Sequence, residues 1–434
     1  MLRDKTLRPF LTLWTGQAFS LLGSQIVQFA IIWWLTQQTG SATLLATASL
    51  VGLLPQVILG PFIGVWVDRL NRRLILFASD AVIAVATIVL MALFALEMIA
   101  VWHIFLLLFV RAVFGAFHWS TMQATTSLMV PEERLTNIQG LNQIVQGGLN
   151  IASAPLGALV VSLLPMAGVL LIDVVTAIFA ILPLFFVHIP QPIVSEDVDE
   201  EKRPSFLADF QSGLRYILGW PGMLFLMGMA MFANFMLVPA VSLLPLLVFD
   251  YFQQSAYFLS LINVTFGIGI IVGGMLLASW GGFKKKIVTS LLGMLTVGIG
   301  MGIIGFIPSA GPLYLVIAAS TIVGLALAVT NGPIHAIMQS TIAPDMQGRV
   351  FALIGSATSA MSPIGLIIAG PLADRLSVSF WYMAAGIGAF VVGLAGFFIP
   401  QVMNIEENRV DIESETTEEE TIMADPDAQN PTLV

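Results

Sequence analysis

The sequence predicts an all-α polytopic membrane protein whose twelve transmembrane helices form two pseudo-symmetric six-helix bundles. Three observations predict this fold class. Of the 434 residues, 57% are hydrophobic and only 10% are charged, and a water-soluble globular protein could not bury so much apolar surface. Twelve apolar runs each approach the ~20 residues that cross a bilayer. A polar stretch at 189–220 separates six of these runs from the other six.

Each span is expected where an apolar run lies between two polar turns. The first run follows three basic residues, but it is longer than the apolar core of a secretory signal, so we expect it to be a retained helix. The predicted spans are, in order, 10–36, 43–67, 74–97, 100–124, 139–164, 167–188, 221–249, 256–280, 287–307, 312–338, 350–373 and 378–399.

The polar segments set the predicted domain boundaries. We expect an N-terminal bundle at 1–188, a cytoplasmic linker at 189–220 with a short surface helix at 205–217, a C-terminal bundle at 221–400 and an acidic, disordered tail at 401–434. The net charge of −9 comes from acids in the linker and the tail, so it does not indicate a nucleic-acid partner. The absence of cysteine excludes disulfides, thiol catalysis and thiolate metal sites.

The basic residues predict the orientation. If both termini are cytoplasmic, 15 of the 17 Lys and Arg residues fall in cytoplasmic segments. Of the other two, Arg111 lies within the fourth span and Arg375 falls on the outer side. This distribution follows the positive-inside rule, and we therefore expect both termini in the cytoplasm and a lipid bilayer as the main partner.

The loop between the second and third spans carries Gly64, Asp68, Arg69, Arg72 and Arg73. Gly64 would let a neighbouring backbone approach, and Asp68 could pair with an arginine or lie at a helix N-terminus. The arginines would meet anionic headgroups. We expect this set to act as a cytoplasmic latch. The motif recurs weakly at 370–376, as expected if the two halves are related by duplication.

These stretches resemble the major facilitator superfamily, and in particular its bacterial macrolide-efflux branch, to which siderophore exporters are also similar. The loop motif resembles the family's Gly-x-x-x-Asp-Arg-x-Gly-Arg-Arg, with Asn71 in place of the glycine, a residue that tolerates the same left-handed backbone. The likeness spans residues 10 to 400 and also rests on Trp14-Thr-Gly-Gln17, Thr39-Gly-Ser-Ala42, Gly60-Pro, Val130-Pro-Glu-Glu and Gly348-Arg349-Val-Phe.

The resemblance implies a monomeric, proton-driven exporter of bulky apolar drugs in a bacterial inner membrane, working by alternating access. Arg111-Ala-Val-Phe-Gly115 matches an Arg-x-x-x-Gly pattern of drug/proton exporters. A second exporter pattern, Gly-Pro-x-x-Gly-Gly, is only partly present in Ala154-Pro155-Leu-Gly157-Ala158. That departure weakens what the pattern implies about the direction of transport.

Four ionisable residues within predicted spans are candidates for proton coupling: Asp80, Arg111, Asp173 and His118. An ionisable group inside a membrane is costly unless it is paired or hydrated, so its presence indicates function. Asp80 and Asp173 are the candidate proton carriers, and Arg111 would stabilise an ionised partner. A static pair that only locks two helices, or a satisfied core histidine, is the alternative for these residues.

Polar stripes on otherwise apolar spans predict the substrate path. Amides with few charges suit a large, weakly polar ligand, although such side chains can also bond one helix to another. The candidate path residues are Gln17, Ser24, Gln28, Gln143, Gln146, Asn150, Asn234, Asn331 and His335.

We therefore expect a proton-coupled exporter of bulky hydrophobic compounds such as macrolides, taken from the cytoplasm or the inner leaflet. An exporter of an endogenous metabolite such as a siderophore, and a non-transporting sensor of the same fold, are the alternatives. The sequence contains no phosphate loop, metal-ligand cluster or nucleophile elbow. We expect neither an enzyme nor a bound cofactor or metal, with the proton gradient as the energy source.

Overall fold

A computed structural model describes residues 7–191, 206–342 and 346–406 of the chain. Within these ranges, the side chains of residues 61, 65, 68, 132, 133, 136, 137 and 206–210 lie outside the description. In the described part, 12 helices are long and apolar enough to cross a membrane, as the sequence predicts. The helices are α1 (Arg8–Thr39), α2 (Ala42–Arg69), α3 (Arg72–Ala95), α4 (Val101–Met129), α5 (Glu132–Leu163), α6 (Met166–Phe186), α7 (Phe206–Leu218), α8 (Pro221–Ser242), α9 (Leu244–Leu246), α10 (Ala256–Trp280), α11 (Lys286–Phe306), α12 (Leu313–Thr341), α13 (Gln347–Leu376), α14 (Val378–Phe398) and α15 (Pro400–Met403).

The seventh span is shorter than the sequence analysis expects. The predicted span of 221–249 ends as α8 at Ser242 and continues as the short helix α9 and a π-helical turn over Leu247–Tyr251. Pro245 explains the break, because it has no N–H to donate to the carbonyl of the preceding turn. The helix therefore ends at Ser242, before the apolar run of the sequence ends at 249.

Two short helices lie at the same end as the linker. Helix α7 falls where a surface helix at 205–217 is expected, and its Gly213 lies against Leu353 of α13. Residues 401–406 are ordered, contrary to the prediction of a disordered tail from 401. There, Lys285 Nζ donates to Asn404 Oδ1 at 3.0 Å, and Glu406 accepts from the backbone N–H of Ile287 at 3.0 Å. The remainder of the predicted tail, 407–434, lies outside the described residues.

Each half packs its helices around close contacts at small residues. In the N-terminal half, α1 packs on α6, and a Cβ at Gly16 would collide with the carbonyl of Phe179. In the C-terminal half, α11 crosses α14 at Gly302 and Gly386, whose backbones are in contact. Because lipid supplies no hydrophobic force between helices, such close backbone packing provides much of their association energy.

The two halves meet through α2 against α13 and α5 against α10. We call the end of the bundle that carries the linker the linker end, and the opposite one the distal end. The largest apolar cluster joins both halves at the distal end and includes Ala42, Leu45, Leu243 and Ala369. Each cluster at the linker end belongs to a single half. The molecule is therefore closed at the distal end and open at the linker end.

Candidate functional site

A buried ion pair joins α4 to α6 in the middle of the N-terminal half. Arg111 Nη1 lies 2.5 Å from Asp173 Oδ2, and Asp173 is only 3% exposed. Ser24 Oγ donates to Asp173 Oδ1 at 2.7 Å, and Thr87 Oγ1 donates to Oδ2 at 3.0 Å. Arg111 Nη2 also donates to the carbonyl of Ser24 at 3.2 Å. Because these partners come from four helices, the pair also ties α1, α3, α4 and α6 together.

Asp80 belongs to a second network two turns nearer the linker end. Gln17 Nε2 donates to Asp80 Oδ2 at 2.9 Å, so the Gln17 side-chain oxygen is left to accept from His118 Nε2 at 2.8 Å. This arrangement places a proton on His118 Nε2. The same nitrogen lies 3.5 Å from Asp80 Oδ1. The four candidate coupling residues thus form two adjacent pairs, Arg111 with Asp173 and His118 with Asp80.

The second pair faces a crevice that enters the N-terminal half between α1, α4 and α5. We call this cavity of about 270 Å³ the N-half crevice. Trp14 and Trp119 line it, and Trp14 Nε1 donates to Asn142 Oδ1 at 2.6 Å. Asp173 does not line the crevice, whereas Asp80, Arg111 and His118 do. Of the two acids, only Asp80 can therefore be reached from this cavity.

A larger cavity of about 760 Å³ lies between the halves and enters the C-terminal half between α8 and α12. It extends from Pro245 near the distal closure to Leu226 and Ile287 near the linker end. Its polar lining consists of amides and hydroxyls and contains no ionisable side chain among the described residues: Gln28, Ser49, Asn234, Ser242, Ser290, Thr330 and Asn331. Its size and largely apolar lining are typical of small-molecule sites.

The predicted path residues divide between these two cavities. Gln28, Asn234 and Asn331 line the central cavity, and Gln17, Ser24 and Gln146 line the N-half crevice. Three predicted path residues, Gln143, Asn150 and His335, are exposed and line neither cavity. On α5, Asn142 lines the N-half crevice together with Gln146, which is one turn away.

One carboxylate crosses between the halves at the distal closure. Asp374, near the end of α13, accepts from the backbone N–H of Ala42 at 2.6 Å, the N–H of Thr43 at 3.0 Å and Ser41 Oγ at 3.0 Å. Those groups form the N-terminus of α2, where unpaired N–H groups and the helix dipole favour a negative charge. Gly370, one turn earlier, lies against Thr43. We call this contact the distal latch.

The predicted cytoplasmic latch lies at the open end. Arg69 and Arg73 are exposed there, and Arg73 donates to the carbonyl of Phe185 at 3.0 Å. Arg72 does not meet headgroups as expected, because it is 5% exposed and donates to the carbonyl of Ala124 at 2.8 Å. The side chain of Asp68 lies outside the described residues.

Two further observations concern this loop. A Cβ at Gly64 would meet open space among the described residues, and none of their backbones approaches it in this conformation. Asn71 has a φ of −66° rather than a left-handed backbone, and its side chain accepts from Leu74 N at 3.2 Å as the N-cap of α3. The cap explains why asparagine suits this position without any left-handed turn.

Sequence reasoning missed two residues of these networks, Thr87 and Asp374. Thr87 lies seven residues after Asp80 and therefore on the same face of α3, a spacing that could have identified it. The role of Asp374 could not be read from spacing, because its partners lie more than 300 residues away along the chain. The one sequence feature that pointed to Asp374 was the recurrence of the loop motif at 370–376.

Residues 13–366 match the sequence profile of the Major Facilitator Superfamily. Macrolide efflux protein A of Streptococcus pyogenes is 34% identical over 397 residues, which cover 92% of this chain and 97% of the relative. The multidrug efflux pump Tap of Mycolicibacterium fortuitum is 25% identical and covers 88% and 94%.

Solved structures share the fold. A bacterial homologue of the iron transporter ferroportin, in an inward-facing state, superposes with a TM-score of 0.68 at 16% identity over 90% of this chain and 99% of its own. A POT family transporter in complex with a thioalcohol-conjugated peptide gives 0.69 at 12% identity over 91% and 96%. At these identities the likeness concerns the fold alone.

Proposed function

The chain belongs to the major facilitator superfamily, and on that premise we propose that it exports bulky hydrophobic compounds, macrolide antibiotics first among them, in exchange for protons. The observation that carries this proposal is the central cavity, which is large, mostly apolar, free of ionisable groups among the described residues and open at one end. The 34% identity to a macrolide efflux protein supports the substrate class.

The cavity suits a large neutral ligand body better than a small anion. Its amides and hydroxyls can each bond a carbonyl or hydroxyl of the ligand, while Met229, Met294 and the leucines supply adaptable apolar contact. An anionic metabolite such as a siderophore would require cationic partners, which the described lining does not offer.

The linker end faces the cytoplasm in this proposal, because the exposed Arg69 and Arg73 and the Lys284–Lys286 run lie there. The open cavity then collects substrate from the cytoplasm or the inner leaflet. Helices α2 and α13, which meet at the distal latch, separate toward the linker end and leave a further cavity of about 910 Å³. Export requires the halves to rock until the distal end opens.

Proton coupling would use the two buried pairs of the N-terminal half. In the described conformation Asp173 is held by Arg111, Ser24 and Thr87 and is removed from the cavities. Asp80 can exchange a proton through the crevice, with His118 as its neighbour. Rocking the halves would change the hydration of the crevice and hence the proton affinity of Asp80. We assign Asp80 as the proton carrier and Arg111–Asp173 as the pair that positions α4.

The test is efflux of radiolabelled erythromycin from cells that express the chain, with and without an uncoupler. We expect lower accumulation on expression, and recovery of accumulation when the proton gradient is collapsed. The variant Asp80→Asn should lose the uncoupler-sensitive component while it still inserts in the membrane. No effect of expression, with the protein verified in the membrane, would discard the macrolide assignment. Efflux that persists unchanged under the uncoupler would discard proton coupling.

A further inference from the structure

Helix α13 contains a proline one turn before the distal latch. Pro371 lies inside the helix and has no N–H to donate to the carbonyl of Ile367, four residues earlier. Helices bend at such positions, because one hydrogen bond of the helix is missing. We call the part of α13 from this point to its end, residues 371–376, the distal arm. The missing bond allows the arm to change its direction independently of the rest of α13.

The distal arm is held by the opposite half of the molecule. Asp374, in the middle of the arm, accepts three hydrogen bonds from the first residues of α2. Just before the arm, a Cβ at Gly370 would collide with the backbone of Thr43, so α13 and α2 are in close contact there. The direction of the arm in this conformation is therefore set by a contact across the distal closure.

Beyond the arm, α14 is fixed by its own half. Trp381 Nε1 donates to the carbonyl of Met236 at 3.1 Å. Tyr382 Oη donates to the carbonyl of Ala240 at 2.6 Å. Both carbonyls belong to α8, and α14 also packs along α11. The start of α14 is therefore held in place by contacts that do not involve the arm.

A single residue, Ser377, joins the arm to α14. Its φ of 136° and ψ of 159° lie in a region of backbone space that is essentially restricted to glycine, because a Cβ is crowded there. Its side chain accepts from the N–H of Phe380 at 3.4 Å as the N-cap of α14, so the next helix begins directly after it. Such a backbone persists only where the surrounding structure enforces it. Here the distal latch acts on one side of Ser377, and the bonds of α14 to α8 act on the other.

Ser377 differs from the other non-glycine residues with a positive φ in the part of the chain that the structure describes. Glu97 and Gln253 have φ values of 57° and 53°. These values are typical of the left-handed helical region, which ordinary side chains enter more readily than the region of Ser377. The strongest backbone strain of this kind therefore lies three residues from the carboxylate of the distal latch.

We propose that the distal arm is a strained catch: while Asp374 holds α2, the arm keeps Ser377 in its unfavourable backbone, and relief of this strain favours opening of the distal end. The strain opposes the latch and lowers the ratio of closed to open molecules by about 5- to 100-fold. It thereby prevents the closed conformation from becoming so stable that the conformational cycle stops. This inference concerns the cycle itself and applies to any substrate.

The test compares glycine with alanine at position 377 of the full chain. Glycine relieves the strain, whereas alanine keeps the Cβ that causes it, and both remove the hydroxyl that caps α14. The reporter is Leu45→Cys, in the apolar cluster of the distal closure, where the parent side chain is 1% exposed. The chain has no cysteine of its own, so a maleimide reacts only at this position. When opening and closing are faster than alkylation, the alkylation rate in detergent is proportional to the open fraction.

We expect Ser377→Gly to slow alkylation of the reporter by about fivefold or more, and Ser377→Ala to leave the rate unchanged. Adding Asp374→Ala should remove the difference between glycine and alanine, because the arm is then no longer held. Glu97→Gly, at an exposed distal position with a positive φ in the N-terminal half, is the matched control and should leave the rate unchanged. Much faster alkylation after unfolding in dodecyl sulfate verifies that each variant is folded.

Equal alkylation rates for Ser377→Gly and Ser377→Ala would overturn the strained catch. A difference between them that persists undiminished with Asp374→Ala would overturn it as well, because the strain would then be independent of the latch. The measurement uses no substrate, so a failure of the catch leaves the proposed function standing, and erythromycin efflux tests that function separately.

Discussion

Replacing Asp374 with alanine should shift the protein away from the conformation described here. The carboxylate accepts three hydrogen bonds from Ser41, Ala42 and Thr43, and two of them come from backbone N–H groups at the start of α2. When the distal end opens, water can take the place of the carboxylate on those N–H groups. The substitution therefore removes a contact that exists only while the distal end is closed.

The size of the shift follows from the type of contact. Removing the acceptor at a helix N-terminus costs about 0.5–2 kcal/mol. Asp374 lies at the surface, where solvent screens the charge, so we take the contact to contribute about 1–2 kcal/mol rather than the sum of three charge-assisted bonds. Since 1.4 kcal/mol is a factor of ten, the ratio of distal-closed to distal-open molecules should fall about 5- to 30-fold. Asp374→Asn, which keeps one acceptor oxygen, should fall between the alanine variant and the parent.

Distance measurements between spin labels would detect this shift. The chain has no cysteine, so Met98→Cys and Ser309→Cys, in distal connections of opposite halves, can be labelled without other changes. We expect a longer-distance population to grow in the Asp374 variants. Asp250→Ala, at another exposed distal aspartate, is the matched control and should leave the distribution unchanged. An unaltered distribution in Asp374→Ala would refute the view that this carboxylate holds the distal end shut.

Three further predictions concern packing, the central cavity and the ion pair. Gly386→Ala should lower the melting temperature in detergent, because its Cβ would collide with the backbone of Gly302, whereas Gly302→Ala should be tolerated because its Cβ meets open space. A lower melting temperature of Gly302→Ala would contradict this packing. Ser290→Ala should leave the melting temperature equal or higher, because the buried Ser290 hydroxyl has no hydrogen-bond partner within the described residues. If that hydroxyl forms a hydrogen bond with the ligand in the central cavity, the same variant should weaken ligand binding, measured by equilibrium dialysis. A marked loss of stability would show that the hydroxyl is already satisfied. Asp173→Asn should destabilise the fold by about 3–5 kcal/mol, because it leaves the buried Arg111 charge unpaired, and adding Arg111→Gln should recover stability without recovering transport. Equal melting temperatures for Asp173→Asn and the parent would refute this account.

Much of the fold could be predicted because membrane segments must satisfy their own backbone. In lipid, the backbone N–H and C=O groups of an apolar run have no water to bond, so the run forms a helix that satisfies them internally. Hydropathy alone therefore located 12 spans, and the errors of prediction occur at the ends of the spans. The seventh span shows the limit: residues 243–249 are as apolar as the helix before them, yet α8 ends at Ser242, three residues before Pro245. Hydropathy measures the transfer of side chains and does not detect a missing backbone donor.

The sequence could predict which ionisable residues belong to the candidate site, but not which of them pair with each other. Ionisable groups in apolar spans are conspicuous, so Asp80, Arg111 and Asp173 could be selected from the sequence. Which acid meets Arg111 depends on the relative rotation and height of α3, α4 and α6, and single-sequence periodicity does not fix either of them. The result matters for function, because Asp173 is the acid enclosed by its partners and Asp80 is the one that lines a cavity.

The antiparallel pairing of α2 and α13 places equivalent residues at opposite ends of the molecule. Asp374 lies near the end of α13, where α2 begins, and the related Asp68 lies near the end of α2, at the level where α13 begins. If both ends close by the same chemistry and the halves rock as rigid bodies, one pair of helices carries a carboxylate for each closure, and the two contacts exclude each other. Asp68→Asn should then favour the conformation described here and slow transport without loss of membrane insertion, and combining it with Asp374→Asn should return the conformational ratio toward that of the parent. If both ends of the double variant open instead, each as it does in the corresponding single variant, the two ends are not coupled through α2 and α13.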